Sequence, residues 1–126
     1  MKTLRNVSLT LFTILLLAAC GGGASSPESV VEKYLEAAKV VDLEAAKKCL
    51  AKSLAQEFDD ITKLMSEEEI EELKAENANL KVANIRSEID GDNATVYFDE
   101  AHGDHSHTRQ IPMVKEDGEW KMAAIY

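Results

Sequence analysis

The chain reads as an α+β protein, with N-terminal helices packed on a four-stranded, curved antiparallel sheet. Three observations carry that reading. Apolar residues recur every three or four positions up to Asn77 and every second position beyond it, so the period changes once, from helical to extended. The extended half is divided by turn signals, of which Asp117-Gly118 suits a two-residue hairpin loop because both residue types tolerate positive φ. Helices come first and strands after, the order that lays helices on one face of an antiparallel meander.

The first 19 residues stand outside this domain. Lys2 and Arg5 make a short positive start, and an apolar run from Leu9 to Ala19 follows, broken only by Thr10 and Thr13. That is the length of a signal peptide and too short to span a bilayer. Residues 20–26 are mostly small and read as a flexible tether. Residues 27–126 are then a single α+β domain, long enough for one modest core.

Within the domain, Ser26 is an N-cap and Pro27 suits the first helical turn, where its missing N–H costs nothing. Val30, Val31, Tyr34, Leu35, Ala38 and Val41 form the first apolar stripe. Asp42 caps a second helix with Leu43, Ala46, Cys49 and Leu50 on its inner face. Leu54, Phe58, Ile61 and Leu64 continue the spacing through a third. Ser66, with Glu69 three residues on, is a capping box that opens a fourth helix carrying Ile70 and Leu73. The acids of Glu67 to Glu72 suit the positive end of that helix and otherwise form a solvated face. Strands are expected over Leu80 to Ile89, Thr95 to Ala101, Gln110 to Glu116 and Trp120 to Tyr126, with a turn at Asp90 to Asn93.

Turn chemistry also sets the register. If Gly103-Asp104 closes a hairpin, His102 faces His105, Glu100 faces His107, Phe98 faces Arg109 and Val96 faces Ile111. If Asp117-Gly118 closes the next, Met113 faces Met122, Lys115 faces Trp120 and Ile111 faces Ala124. The two turns together collect Val96, Phe98, Ile111, Met113, Trp120 and Met122 on one apolar face, a set that a one-residue slip would scatter. Trp120 belongs to the core, the Met113–Met122 pair fills gaps rather than binding copper, and Tyr34, Tyr97 and Tyr126 are packing or rim residues.

Charge and cysteines narrow the partners. Formal net charge is −9, and loss of the two positive charges of Lys2 and Arg5 takes it to −11 for the chain from Cys20. Such a balance argues against nucleic acid and against lying flat on anionic lipid. The chain has two cysteines.

Leu17-Ala18-Ala19-Cys20, followed by Gly21-Gly22-Gly23, resembles the lipobox of a bacterial lipoprotein precursor. The resemblance implies that Cys20 is lipidated, with thioether diacylglycerol and an N-acyl chain such as palmitate, and becomes the mature N-terminus. The partner is then the membrane, through that anchor, and the location is the cell envelope. Gly21 lacks the Asp of an inner-membrane retention signal, which implies the outer membrane if the source is Gram-negative. Cys49 is left without an internal partner and reads as a small buried apolar residue.

Two further stretches carry a second resemblance. Pro27 to Ala38, followed by Asp42 to Lys48, and the closing Val114-Lys115-Glu116-Asp117-Gly118-Glu119-Trp120-Lys121-Met122 are similar to the cystatin-like or nuclear transport factor 2-like superfamily. Small bacterial lipoproteins with a lumazine-binding-like domain of unknown function are the nearest likeness. The resemblance implies a curved sheet forming a cone under the helices. Enzymes of that superfamily use an acid/base pair in the cone, commonly Asp with His, and spacing places no such pair at the floor here.

All three histidines lie between His102 and His107. The register brings Glu100, His102, His105 and His107 to one side of a projecting hairpin tip, at cross-strand distances that suit zinc or copper, with Asp99 and Asp104 as outer partners. The plainer reading is a solvated tip. The functional expectation is therefore a non-catalytic envelope domain that binds a small ligand or an envelope protein and needs no cofactor. Zinc or copper binding at the tip is one alternative, and a small acid/base enzyme of the same fold is the other.

Overall fold

A computed structural model describes residues 26–125. The leader 1–19, lipidation at Cys20, the tether up to Ser25 and Tyr126 lie outside the described residues. Among those described, no helix is long and apolar enough to cross a membrane.

Four helices precede four strands: α1 Pro27–Val40, α2 Leu43–Lys48, α3 Lys52–Thr62, α4 Glu67–Ala78, then β1 Lys81–Asp90, β2 Asn93–His102, β3 His105–Glu116 and β4 Glu119–Met122. The strands form one antiparallel meander in the order β1-β2-β3-β4, so the fold class is α+β as expected.

The caps act where the sequence places them. The Ser26 hydroxyl accepts from the Ser29 N–H at 3.1 Å while the Ser29 hydroxyl accepts from the Ser26 N–H at 3.3 Å, a reciprocal pair that opens α1. Ser66 and Glu69 do the same for α4, at 3.2 and 3.3 Å. α1 ends earlier than its apolar stripe implies. Val41 leaves the helix with φ 52°, and its N–H and that of Asp42 return to Ala38 and Ala37, the closing geometry usually given to glycine. A β-branched residue there is strained.

Both hairpin registers are as derived: His102 opposite His105, Glu100 opposite His107, Phe98 opposite Arg109, Val96 opposite Ile111, Met113 opposite Met122 and Lys115 opposite Trp120. Asp117 and Gly118 both have positive φ, which a type I′ turn requires. Val96, Phe98, Ile111, Met113, Trp120 and Met122 are all buried and pack with Val30, Val31, Cys49 and Leu50 into one core.

The departures have local causes. β3 begins at His105 rather than Gln110, because the Gly103-Asp104 turn is tight enough to pair the strands to their tips. β4 stops at Met122 instead of reaching Tyr126, and the Ile111–Ala124 pair does not form. Ala123 donates to the Pro112 carbonyl at 2.8 Å, but Pro112 has no N–H to return the bond, so the ladder ends there. β1 carries a bulge between Ala83 and Arg86, with Asn84 at φ 56°. The extra residue turns Val82 rather than Ala83 to the side of Ile85. The free edge of β4 is covered by Cys49 to Ala51: Met122 donates to the Cys49 carbonyl at 2.8 Å and accepts from Ala51 at 2.9 Å. Finally, the apolar stripe of α3 does not finish inside, since Ile61 is 65% and Leu64 86% exposed.

Candidate functional site

Between the helices and the concave sheet face lies a cavity of about 530 Å³. Val31, Tyr34, Leu35 and Ala38 of α1 form one wall, and Leu43 and Ala46 of α2 another. Leu54, Phe58 and Ile61 of α3, with Leu73 and Asn77 of α4, close the top, and Phe98, Ile111 and Met122 form the floor. The strained Val41 also lines it. A larger open depression beside β4 carries charges of both signs, with Lys121 already held by the Lys48 carbonyl at 2.8 Å and by Glu119 at 3.3 Å. The cavity between helices and sheet is the better candidate site because its walls are mostly apolar and its volume is that of small-molecule pockets.

One end of the cavity is polar. Glu100 and His102 are two residues apart on β2 and so share its inner face. Arg109 sits diagonally across on β3, two residues beyond His107, the direct partner of Glu100. One oxygen of Glu100 accepts from Arg109 Nε at 2.8 Å and the other meets His102 Nε2 at 2.6 Å. The Glu100 side chain is only 13% exposed, against 39% for Arg109 and 50% for His102. Burial pushes the Glu100 carboxyl up, but the hydrogen bonds from Arg109 and His102 outweigh it and hold the group below the ordinary glutamate value.

The four residues expected to hold metal are thus in register but not gathered. Glu100 and His102 line the cavity, whereas His105 and His107 are exposed and do not. Both Glu100 oxygens are engaged with Arg109 and His102, so the carboxylate is not offered to His107. Among the described residues no group of three or more His, Cys, Asp or Glu could hold a metal ion. Asp99 lies on the outer face, bound by Asn84 and Thr108, each at 2.9 Å, which hold its carboxyl below the usual range. Asp104 is exposed in the turn.

The remaining candidates are structural. Cys49 is buried, its thiol donates to the Ala45 carbonyl at 3.6 Å, and burial pushes its pKa up, away from the reactive thiolate. Burial likewise raises Tyr34. Tyr97 sits on the outer face with the Arg86 guanidinium 5.7 Å from its ring centre. Tyr126 lies outside the described residues.

Arg109 is the site residue that the sequence reading placed but gave no role. The diagonal rule for antiparallel pairs, applied to Glu100, points to it.

Helices on one face of a curved antiparallel sheet, with a cavity between them, define a class of α+β fold that serves many unrelated functions. The particular family is shown by its model: residues 18–123 match a domain of unknown function, DUF4878, and the chain belongs to that family. No curated protein matches it. Among solved structures, the chain is similar to an NTF2-like protein of unknown function from Cytophaga hutchinsonii, at 12% identity and a TM-score of 0.44, over 78% of this chain and 87% of that one. It is also similar to a protein of unknown function from Mycobacterium tuberculosis, at 15% identity and a TM-score of 0.46, over 93% of this chain and 71% of that one.

Proposed function

We propose that the domain is a non-catalytic binding module of the cell envelope, tethered to the membrane through a lipidated Cys20, and that it holds one small, mainly apolar molecule between its helices and sheet. The observation that carries the reading is the cavity of about 530 Å³, with mostly apolar walls and with Glu100, His102 and Arg109 gathered at one end. Hydrophobic walls with a few convergent polar groups are the usual make-up of a ligand site. The lipobox, the small-residue tether and the acidic domain support the anchored location.

Native mass spectrometry of chain extracted from its own membranes tests the ligand: a bound species lost on Ala38→Phe, which fills the cavity, is the expected result. A spectrum without any adduct would count against it. Incorporation of labelled palmitate that is lost on Cys20→Ala tests the anchor.

A second reading, an acid/base enzyme, is favoured by the Glu100–His102 contact in the cavity wall. It is the weaker reading. Glu100 is held ionised with both oxygens engaged by Arg109 and His102, so it has no proton to give and is a poor base. Turnover abolished by His102→Ala, with ligand retention unchanged, would make it the better one.

A further inference from the structure

We propose that the molecule held in this cavity is an uncharged amphiphile, with an apolar body against the cavity walls and one neutral hydrogen-bonding end at the Glu100–Arg109 pair. This rests on the binding reading above and names the class of ligand.

The polar end of the cavity is charged group by group yet balanced. Arg109 Nε stands 2.8 Å from the Glu100 carboxylate, so the pair adds no net charge. An anionic headgroup placed there lies against a carboxylate that is mostly buried, where poor screening makes like charges costly. A cationic headgroup meets the Arg109 guanidinium instead. The other charged lining residues, Asp42 and Glu57, are exposed acids, where solvent screens their effect on either ion. A molecule without any polar group fails for the opposite reason. It would strip water from Glu100, His102 and Arg109 and return no hydrogen bond. A hydroxyl or a neutral ester avoids both costs, because it accepts from or donates to this end without unbalancing the pair.

The test keeps the chain length of the ligand constant and changes only its charge. The full chain is loaded with the neutral fluorescent probe N-phenylnaphthylamine at neutral pH and displaced with dodecanol, dodecanoate or dodecylamine. Dodecanol should displace the probe at a concentration lower than either ion by about tenfold or more. In Glu100→Gln the Arg109 charge is no longer balanced by Glu100, and dodecanoate should improve by about tenfold. In Arg109→Gln the imbalance is reversed, and the gain should pass to dodecylamine. The two opposite variants keep the test open should one of them fail to fold, which circular dichroism reports. Equal displacement by all three, or an ion as effective as dodecanol, overturns the proposed class while leaving the cavity as a binding site. A wild-type chain that takes up no probe, or one whose uptake survives Ala38→Phe, removes the binding reading itself.

Discussion

The two halves of the cavity are built to different standards. Its floor, the sheet face of β2 to β4 backed by the Cys49–Ala51 stitch, is packed together with the α1 wall, and there Val31, Val96 and Met122 are wholly inaccessible. Its top is α3 and α4, neither of which has a single buried residue among those described. The floor is held by packing and ladder hydrogen bonds. The top is held by partly buried side chains such as Leu54 and Phe58, by ion pairs such as Lys47–Asp59 at 3.4 Å, and by Asn77 donating to the Ala38 carbonyl at 2.7 Å. Regions that open to admit ligands come from the less stable end of a protein, and this asymmetry makes the top the side expected to open.

The sharpest way to break that comparison is to cut the floor. Met122→Ala removes a fully buried side chain and should cost about 2–5 kcal/mol in urea unfolding, enough to threaten a domain of this size. A cost under about 1 kcal/mol would mean that the core is not concentrated where these strands meet. Ser66→Ala acts on the top instead. It removes the hydroxyl that caps α4 and should cost about 1 kcal/mol. If the top opens without the floor, hydrogen exchange should quicken in α4 by that amount while β2 and β3 stay at the global rate. Uniform quickening would show that the molecule unfolds as one piece and that the two halves are not distinct.

What could be read beforehand divides along the same line. The floor was legible because it is written in short-range rules. Period-two alternation, two turn-forming dipeptides and the identity of apolar residues were enough to fix six cross-strand pairs before any coordinates. The top was only half legible. Capping chemistry located the starts of α1, α2 and α4, but whether Ile61 and Leu64 point into the core depends on where α3 lies against the sheet, which no local spacing encodes. Pro112 illustrates a missed signal of another sort: the missing N–H that ends β4 is visible in the sequence once the register is drawn. The polar end was less legible, for an energetic reason. Histidines near a carboxylate suggest metal, but the diagonal Arg109 takes one oxygen of Glu100 while His102 takes the other, a division that histidine spacing alone does not reveal.

The polar end also predicts a pH effect. Because Glu100 titrates below its ordinary value when folded, its contacts stabilise the fold fully above the unfolded glutamate pKa, about 4.3, and that contribution fades as pH falls through the folded value. Comparing wild type with Glu100→Gln from neutral to acid pH should therefore give a stability gap that closes on acidification. A gap that widened would mean that burial, not Arg109 and His102, dominates the carboxyl.

The smallest expected effect is the most telling about the top of the cavity. Leu64 is 86% exposed beyond the end of α3, so it contributes little buried area and Leu64→Ala should change stability by less than about 0.5 kcal/mol. An apolar residue left in water beside a cavity margin that includes Ile61 and Met65 adds to the accessible apolar surface there. If that surface takes part in admitting the apolar probe, the same substitution should slow probe uptake in stopped-flow measurements while leaving the melting curve in place. A change of stability without a change of uptake would assign Leu64 to packing after all.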